Sequence, residues 1–338
     1  EPMLGRNLDV YLRLNLLHYS SHYLIINLHK TQIFFKKIMI KYNTRFAPSP
    51  NGYLHLGHAY SALISEGLAR KTGGKFFLRI EDIDLGRCKK KFKDSIFEDL
   101  NWLKIKYEKN IIKQSEHFAK YEKYIKKLRD LNLIYPCWAT RSEIKKFISK
   151  KSASKSSWPI DPDGQYIYPK IYKNISKAER SNLMLSGANF SWRLDVEKAI
   201  ALAQEKFGNK IFFDELGLEP KGKRILEPNL YGDLIIARKE IPTSYHLSVV
   251  IDDAEQGINL VTRGLDIYPA TSIHRLLQIV LNLPEPQWYH HNLLREQSGE
   301  KLSKTNKSTS IKSLRDKKIR NDEIFSLIQS IEAFPDEI

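Results

Sequence analysis

This chain of 338 residues is short of cysteine, of acidic charge and of long apolar runs. Its two cysteines, Cys88 and Cys137, are too few for a disulfide framework and suit a reducing, cytoplasmic setting. No run of about 18 apolar residues occurs, so no transmembrane helix and no membrane partner are expected. Residues 1–38 lack an initial Met and any glycine-rich or catalytic signal. They also lack the basic start, apolar stretch and small-residue cleavage site of a secretory leader, and the Arg/Ser bias of a mitochondrial one. They read as an extension upstream of a natural start at Met39, or alternatively as an ordered helix packed on the body. Acidic residues number 39 against 55 Lys and Arg, a net charge of +16. A basic surface supplies phosphate contacts to nucleic acid, although a general richness in Lys, Ile and Asn inflates the same figure.

What is present begins with a hydrophobic content of 42%, enough for a sizeable core in one large α/β domain with an insertion, or in two domains. Residues 42–47 read as a strand, followed by a Pro-Ser-Pro-Asn-Gly turn and helical spacing over 58–71. Gly73-Gly74 stops that helix. Residues 75–80 read as a strand ending in Glu81-Asp82-Ile83-Asp84, and strand–helix–strand order predicts a parallel sheet. Acidic residues at the carboxyl end of such a strand lie where open α/β sheets bind ligands. Helices are expected over 93–150, a loop over 151–175, strands at 234–238, 247–253 and 259–263, and a helix at 273–281.

Two short motifs carry chemistry. His55-Leu56-Gly57-His58 opens the first helix, and Lys301-Leu302-Ser303-Lys304 sits in a loop near the C-terminus, two residues after Gly299. Alone, the first also reads as a helix-capping His pair and the second as a solvated lysine loop. In this order, with strand-like segments between, they resemble the two ATP-binding signatures of class I aminoacyl-tRNA synthetases. The chemistry fits. Attack of a carboxylate on the α-phosphate of ATP builds negative charge on phosphoryl oxygens and departing pyrophosphate, which positioning and electrostatics can stabilise. Imidazoles at a helix N-terminus add donors beside the positive end of the dipole. Gly57 removes a side chain where a nucleotide must approach.

The resemblance extends further. Residues 45–58, from Arg45-Phe46-Ala47-Pro48-Ser49-Pro50 to His58, look like the opening motif of glutamyl-tRNA synthetases. Leu78 to Asp84, Tyr245 to Asp253 and Thr262 to Asp266 look like later ones. From about residue 43 onward the chain resembles this family, and within it the queuosine-directed branch, the glutamyl-queuosine tRNA(Asp) synthetases. The fold implied is α/β, a Rossmann-type class I catalytic domain with an inserted α/β subdomain and a short helical C-terminal segment. The expected divisions are 1–38 for the extension, 39–110 for the first Rossmann half, 111–230 for the insertion, 231–300 for the second half, and 301–338 for the lysine loop and C-terminal helices. Two features favour the queuosine branch. Few residues follow Lys304, whereas a further domain needs at least about 50. The glutamate site of glutamyl-tRNA synthetases resembles Tyr-x-x-x-Asn, and here Tyr245 is followed at that spacing by Val249, which also reads as a strand core residue.

The resemblance implies the site. Arg45, Ser49, Glu81, Tyr245 and Arg263 are the expected glutamate-binding residues. Guanidinium groups suit carboxylates, and Glu81 suits the α-ammonium; a surface strand-end arginine is the other reading of Arg45 and Arg263. His55, Gly57, His58, Lys301 and Lys304 are assigned to ATP. His55, His58, Lys301 and Lys304 are the catalytic set, with Lys304 the stronger candidate for departing pyrophosphate. ATP brings Mg2+, for which no protein ligand can be named. His274, His290 and His291 receive no role. Many relatives carry a zinc site patterned Cys-x-Cys, then Tyr-x-x-x-Cys. Here Cys137-Trp138-Ala139 and Tyr168 to Tyr172 keep one thiolate of three, so Cys137 and Tyr168 are remnants and zinc is expected to be absent, with Trp138 and Tyr172 packing in its place. The expected partners are glutamate, ATP and tRNA(Asp) bearing queuosine, and the expected state is a monomer. A truncated glutamyl-tRNA synthetase charging tRNA(Glu), a non-catalytic RNA-binding paralogue, and another nucleotidyltransferase are the competing readings.

Overall fold

The computed structural model describes residues 40–152, 157–238, 240–294, 310–332 and 334. Strand β1 (Thr44–Phe46) is wholly buried and leads through the proline turn into helix α1 (Leu56–Thr72). Leu56, Ala62, Ile64 and Leu68 give that helix its apolar face, and Gly73 ends it with φ at +68°. Strand β2 (Phe76–Ile80) returns parallel to β1, pairing Thr44 with Phe76 and Phe46 with Leu78. Helix α2 (Lys90–Trp102) crosses over to β3 (Ile112–Lys113), which is parallel to β2.

The chain continues through α3 (Phe118–Asp130), β4 (Ile134–Cys137), α4 (Arg141–Ser152), α5 (Lys177–Leu185), β5 (Ser191–Leu194) and α6 (Val196–Phe207). Next come β6 (Phe212–Glu215), β7 (Gly222–Ile225), β8 (Ile235–Arg238), α7 (Tyr245–Glu255) and β9 (Leu260–Gly264). Helix α8 (Ala270–Leu281), β10 (Gln287–His291), α9 (Ile311–Asp316) and α10 (Asn321–Ile331) complete the described elements.

Strands β1, β2 and β3 form one sheet edge, and β7, β6, β10 and β9 another. The two meet where Asn259 N and Leu260 N donate to Asn43 O and where Arg45 Nη1 donates to Thr262 O. Strand β9 therefore runs beside β1 in the same direction, giving the order β3-β2-β1-β9-β10-β6-β7. That is the Rossmann arrangement, and its strand order reverses between β1 and β9, the place where such sheets bind ligands. One core packs α1, α2 and the C-terminal helices on the β1–β2 side. A second joins α3, α6, α7 and α8. A small antiparallel sheet of β4, β5 and β8 stands apart.

Three segments differ from their sequence pattern. Residues 247–253 form part of helix α7 rather than a strand. Leu247, Val249, Val250 and Ile251 are all buried, and so are Ser248, Asp252 and Asp253, so no exposed polar face marks a helical period, while the β-branched residues favour a strand reading. The Ser244 hydroxyl, which accepts from Leu247 N, starts the helix. Strand β8 pairs with β5 in the small sheet instead of joining the main one, whereas β6 and β7 belong to the main sheet. Short strands β3 and β4 interrupt the region expected to be helical.

Candidate active site

A cavity of about 670 Å³ opens at the β1/β9 switch point. Arg45, Ser49, Glu81, Tyr245 and Arg263 line it, and so do His55, Gly57 and His58. Residues separated by more than two hundred positions are thereby brought to one place. Lys301 and Lys304 lie outside the described residues. The positions on either side of that stretch are at the cavity: Leu294 lines it, and Ser310 pairs with His55 in an isolated β-bridge.

The two histidines cap α1 and face the cavity at once. His55 Nδ1 accepts from Gly57 N at 3.1 Å, and His58 Nδ1 accepts from His55 N at 3.2 Å. With both Nδ1 atoms acting as acceptors, neutral imidazoles carry their protons on Nε2, which makes each a donor. A Cβ at Gly57 would come within 3.0 Å of the His55 ring, so the glycine makes room for the capping imidazole itself.

Around β1 and β2 lies a buried ionic network. Arg45 Nε and Arg79 Nη1 each contact Asp253 Oδ1 at 2.8 Å. Arg79 Nη2 lies 3.5 Å from Glu81 Oε1. The two arginines outweigh the burial of Asp253 and hold its carboxyl below the usual range. Burial instead lifts Glu81 to about 7, against the opposing pull of Arg79 and Arg45.

Arg263, at the end of β9, is held differently. Its Nε donates to His290 Nε2 at 3.1 Å, Nη1 meets His274 Nδ1 at 2.9 Å, and Nη2 donates to Thr271 Oγ1 at 2.6 Å. All three partners are neutral. Burial holds His274 well below its ordinary pKa and puts His290 at about 4, and the same burial lowers Arg263 itself. A buried guanidinium hydrogen-bonded by neutral groups is matched to an incoming anion. Tyr245, the first residue of α7, is its electrostatic neighbour at the cavity wall.

Sequence reasoning left Asp253, Arg79, Thr271, His274 and His290 without roles. Arg79 carried one readable signal, since residues two apart on a strand share a face with Glu81. The others depend on contacts across the fold. Val249 lies one helical turn beyond Tyr245, 2% exposed in the core.

Cys137 and Tyr168 are together but are not part of this cavity's lining. Cys137 Sγ donates to Tyr168 OH at 3.2 Å, and Arg193 Nε reaches the sulfur at 3.4 Å. The Arg193 guanidinium stacks 3.8 Å over the Tyr168 ring. Trp138 packs on Tyr172 at 5.7 Å between centroids. Among the described residues, the one cluster with metal-ligand spacing is His117, Asp252 and Glu255. There Lys120 Nζ already contacts Glu255 and His117.

Residues 41–332 match the family described as tRNA synthetases class I (E and Q), catalytic domain. The chain belongs to this family. It is a class I ligase, of a family whose chemistry uses ATP with Mg2+. Among similar proteins is the glutamyl-Q tRNA(Asp) synthetase of Rhodobacter capsulatus, 36% identical over 276 residues, covering 80% of this chain and 94% of that protein. The glutamate–tRNA ligase of Aquifex aeolicus is 32% identical over 290 residues, covering 86% of this chain but 57% of that enzyme. A solved glutamate tRNA ligase from Elizabethkingia meningosepticum superposes with a TM-score of 0.64 at 24% identity, covering 79% of this chain and 52% of that one. That likeness speaks for the fold. No helix among the described residues is long and apolar enough to cross a membrane.

Proposed function

We propose that this class I synthetase activates glutamate with ATP and transfers it to the queuosine base in the anticodon of tRNA(Asp). The observation that carries the glutamate half is the pairing, in one cavity, of the Glu81 carboxylate with an Arg263 guanidinium held by neutral partners. An amino acid with an acidic side chain needs both: an anion for its ammonium and a cation for its γ-carboxylate. Arg263, with Tyr245 beside it, takes the γ-carboxylate. Arg45, already tied to Asp253, sets the field around Glu81.

The α-carboxylate of glutamate attacks the α-phosphate, forming the acyl–phosphate bond of the adenylate and expelling pyrophosphate. His55 and His58 offer Nε2 donors to the phosphates, and Lys301 and Lys304 complete the charge on the departing group. Among the described residues, Glu81 and Asp266 are the carboxylates lining the cavity. Two carboxylates do not amount to a protein cage for a divalent ion, and a Mg2+ brought by ATP would be held mainly by the nucleotide phosphates and would add positive charge to the departing group. A queuosine ring hydroxyl then attacks the glutamyl carbonyl, forming an ester, losing its proton and releasing AMP.

The acceptor is supported by the 36% identity across 94% of a glutamyl-Q tRNA(Asp) synthetase and by Val249 at the Asn position of the tRNA-charging relatives. Likeness to glutamate–tRNA ligases keeps a second reading, charging of tRNA(Glu). Glutamate-dependent ATP–pyrophosphate exchange tests the activation step. The wild-type protein should exchange with glutamate in preference to glutamine and aspartate. Arg263→Ala should lose about 2–5 kcal/mol of transition-state stabilisation, because a charge pair in a desolvated site is broken, with the KM for ATP little changed. Wild-type exchange in that variant would remove Arg263 from the glutamate pocket.

A further inference from the structure

We propose that Glu215 is a positioning residue for Arg263, acting through the tautomer of His290. The proposal rests on the reading that Arg263 receives the substrate γ-carboxylate. Glu215 closes β6, fully buried, and contributes nothing to the cavity lining. Its Oε1 accepts three backbone N–H groups: Gly217 at 2.7 Å, Leu218 at 3.1 Å and His290 at 3.1 Å. Its Oε2 lies 2.5 Å from His290 Nδ1. Burial opposes the charge on Glu215, yet the His290 contact and the backbone donors outweigh it and hold the carboxyl below its usual range. The turn is close enough that a Cβ at Gly217 would come within 2.3 Å of His290 O.

An ionised carboxylate only accepts hydrogen bonds. It therefore fixes the His290 proton on Nδ1 and leaves Nε2 as a bare acceptor. That lone pair receives Arg263 Nε–H. Thr271 serves a second edge in the same way. Its hydroxyl donates to Tyr268 O at 2.6 Å and accepts from Arg263 Nη2. His274 Nδ1 accepts from Nη1, with His274 Nε2 turned to His246 Nδ1 at 3.2 Å. Three of the five guanidinium N–H groups are thereby committed to acceptors behind the cavity. The remaining two, one on each terminal nitrogen, are left on the cavity side, where the Tyr245 hydroxyl is a hydrogen-bonding neighbour, and supply the fork that grips a carboxylate in two parallel bonds. Glu215 determines the direction of that fork without touching the ligand.

The backbone cradle makes the test sharp. In Glu215→Gln, the amide oxygen must stay at the Oε1 position, because an NH2 group there would face three backbone donors. The NH2 group is then directed at His290 Nδ1, and His290 must move its proton to Nε2, against Arg263 Nε–H. Exchange kinetics on the full chain should show the KM for glutamate raised about tenfold or more, with the KM for ATP unchanged. Nitrogen NMR of histidine-labelled wild-type protein should show His290 with Nδ1 protonated and Nε2 bare, and the opposite tautomer in Glu215→Gln. An unchanged glutamate KM, or equal rises for glutamate and ATP, overturns the proposal. So does a protonated Nε2 in the wild type, a result that decides the matter even if the variant fails to fold. A wild-type protein that shows the bare Nε2 but no exchange with glutamate would instead overturn the glutamate reading of the site.

Discussion

Glu81 and Arg263 set the chemistry of the cavity by opposite means. Glu81 is a carboxylate pushed up to about 7 by burial, and Arg263 is a cation surrounded by neutral acceptors. In the proposed function, a substrate ammonium would bind the ionised form of Glu81, and glutamate binding would draw a proton off it. Below about pH 7 the carboxyl is mostly neutral and attraction falls. Above it, attraction rises and is complete about one pH unit higher. For exchange at limiting glutamate, kcat/KM should climb toward roughly tenfold per pH unit on the acid side and level off above about pH 8. Glu81→Gln should flatten that limb at a low rate, and a wild-type profile flat from about pH 6 to pH 8 would separate Glu81 from substrate binding. Eight residues that line the cavity were legible because the motifs carrying them resemble those of the family. Asp253 and Glu215 could not. The value of Asp253 comes from Arg45 and Arg79, 208 and 174 positions away, and that of Glu215 from a histidine 75 positions away.

Helix α7 links the sheet to the cavity. It presents Tyr245 at its first turn and buries Asp252 and Asp253 at its last. Asp253 clamps the helix to β1 through Arg45 and to β2 through Arg79. Asp253→Asn leaves two buried guanidinium groups short of their shared carboxylate, and the cost expected is about 3–5 kcal/mol. Denaturant unfolding should show the lower midpoint, and an unchanged midpoint would mean that the network adds nothing to stability. The helix was also the element least legible in the sequence. Strand β1 and helix α1 announce themselves through a turn and a cap, whereas α7 is buried all round and rich in β-branched residues. Strand β8 was legible as a strand but not as a member of the small sheet, since pairing with β5 is a property of the whole insertion. In that sheet, Arg193 sets a fixed positive charge against Cys137 and Tyr168. Metal analysis of the purified protein should find zinc well below one equivalent, with melting temperature unaffected by a chelator. Stoichiometric zinc would contradict this account of the cluster.

At the scale of the molecule, a net charge of +16 and a Rossmann cavity fit an enzyme that brings a small anionic substrate to RNA. Membership of the class I tRNA synthetases for glutamate and glutamine settles the kind of enzyme. The acceptor is the central claim. The most direct measurement is transfer of radiolabelled glutamate to purified tRNA(Asp) with queuosine, tRNA(Asp) without it, and tRNA(Glu), followed by nuclease digestion to locate the label. The account predicts label on the anticodon nucleotide of queuosine-bearing tRNA(Asp), with tRNA(Asp) lacking queuosine and the 3′ end of tRNA(Glu) unlabelled. Label on the terminal adenosine of tRNA(Glu), or equal labelling of tRNA(Asp) with and without queuosine, would contradict it.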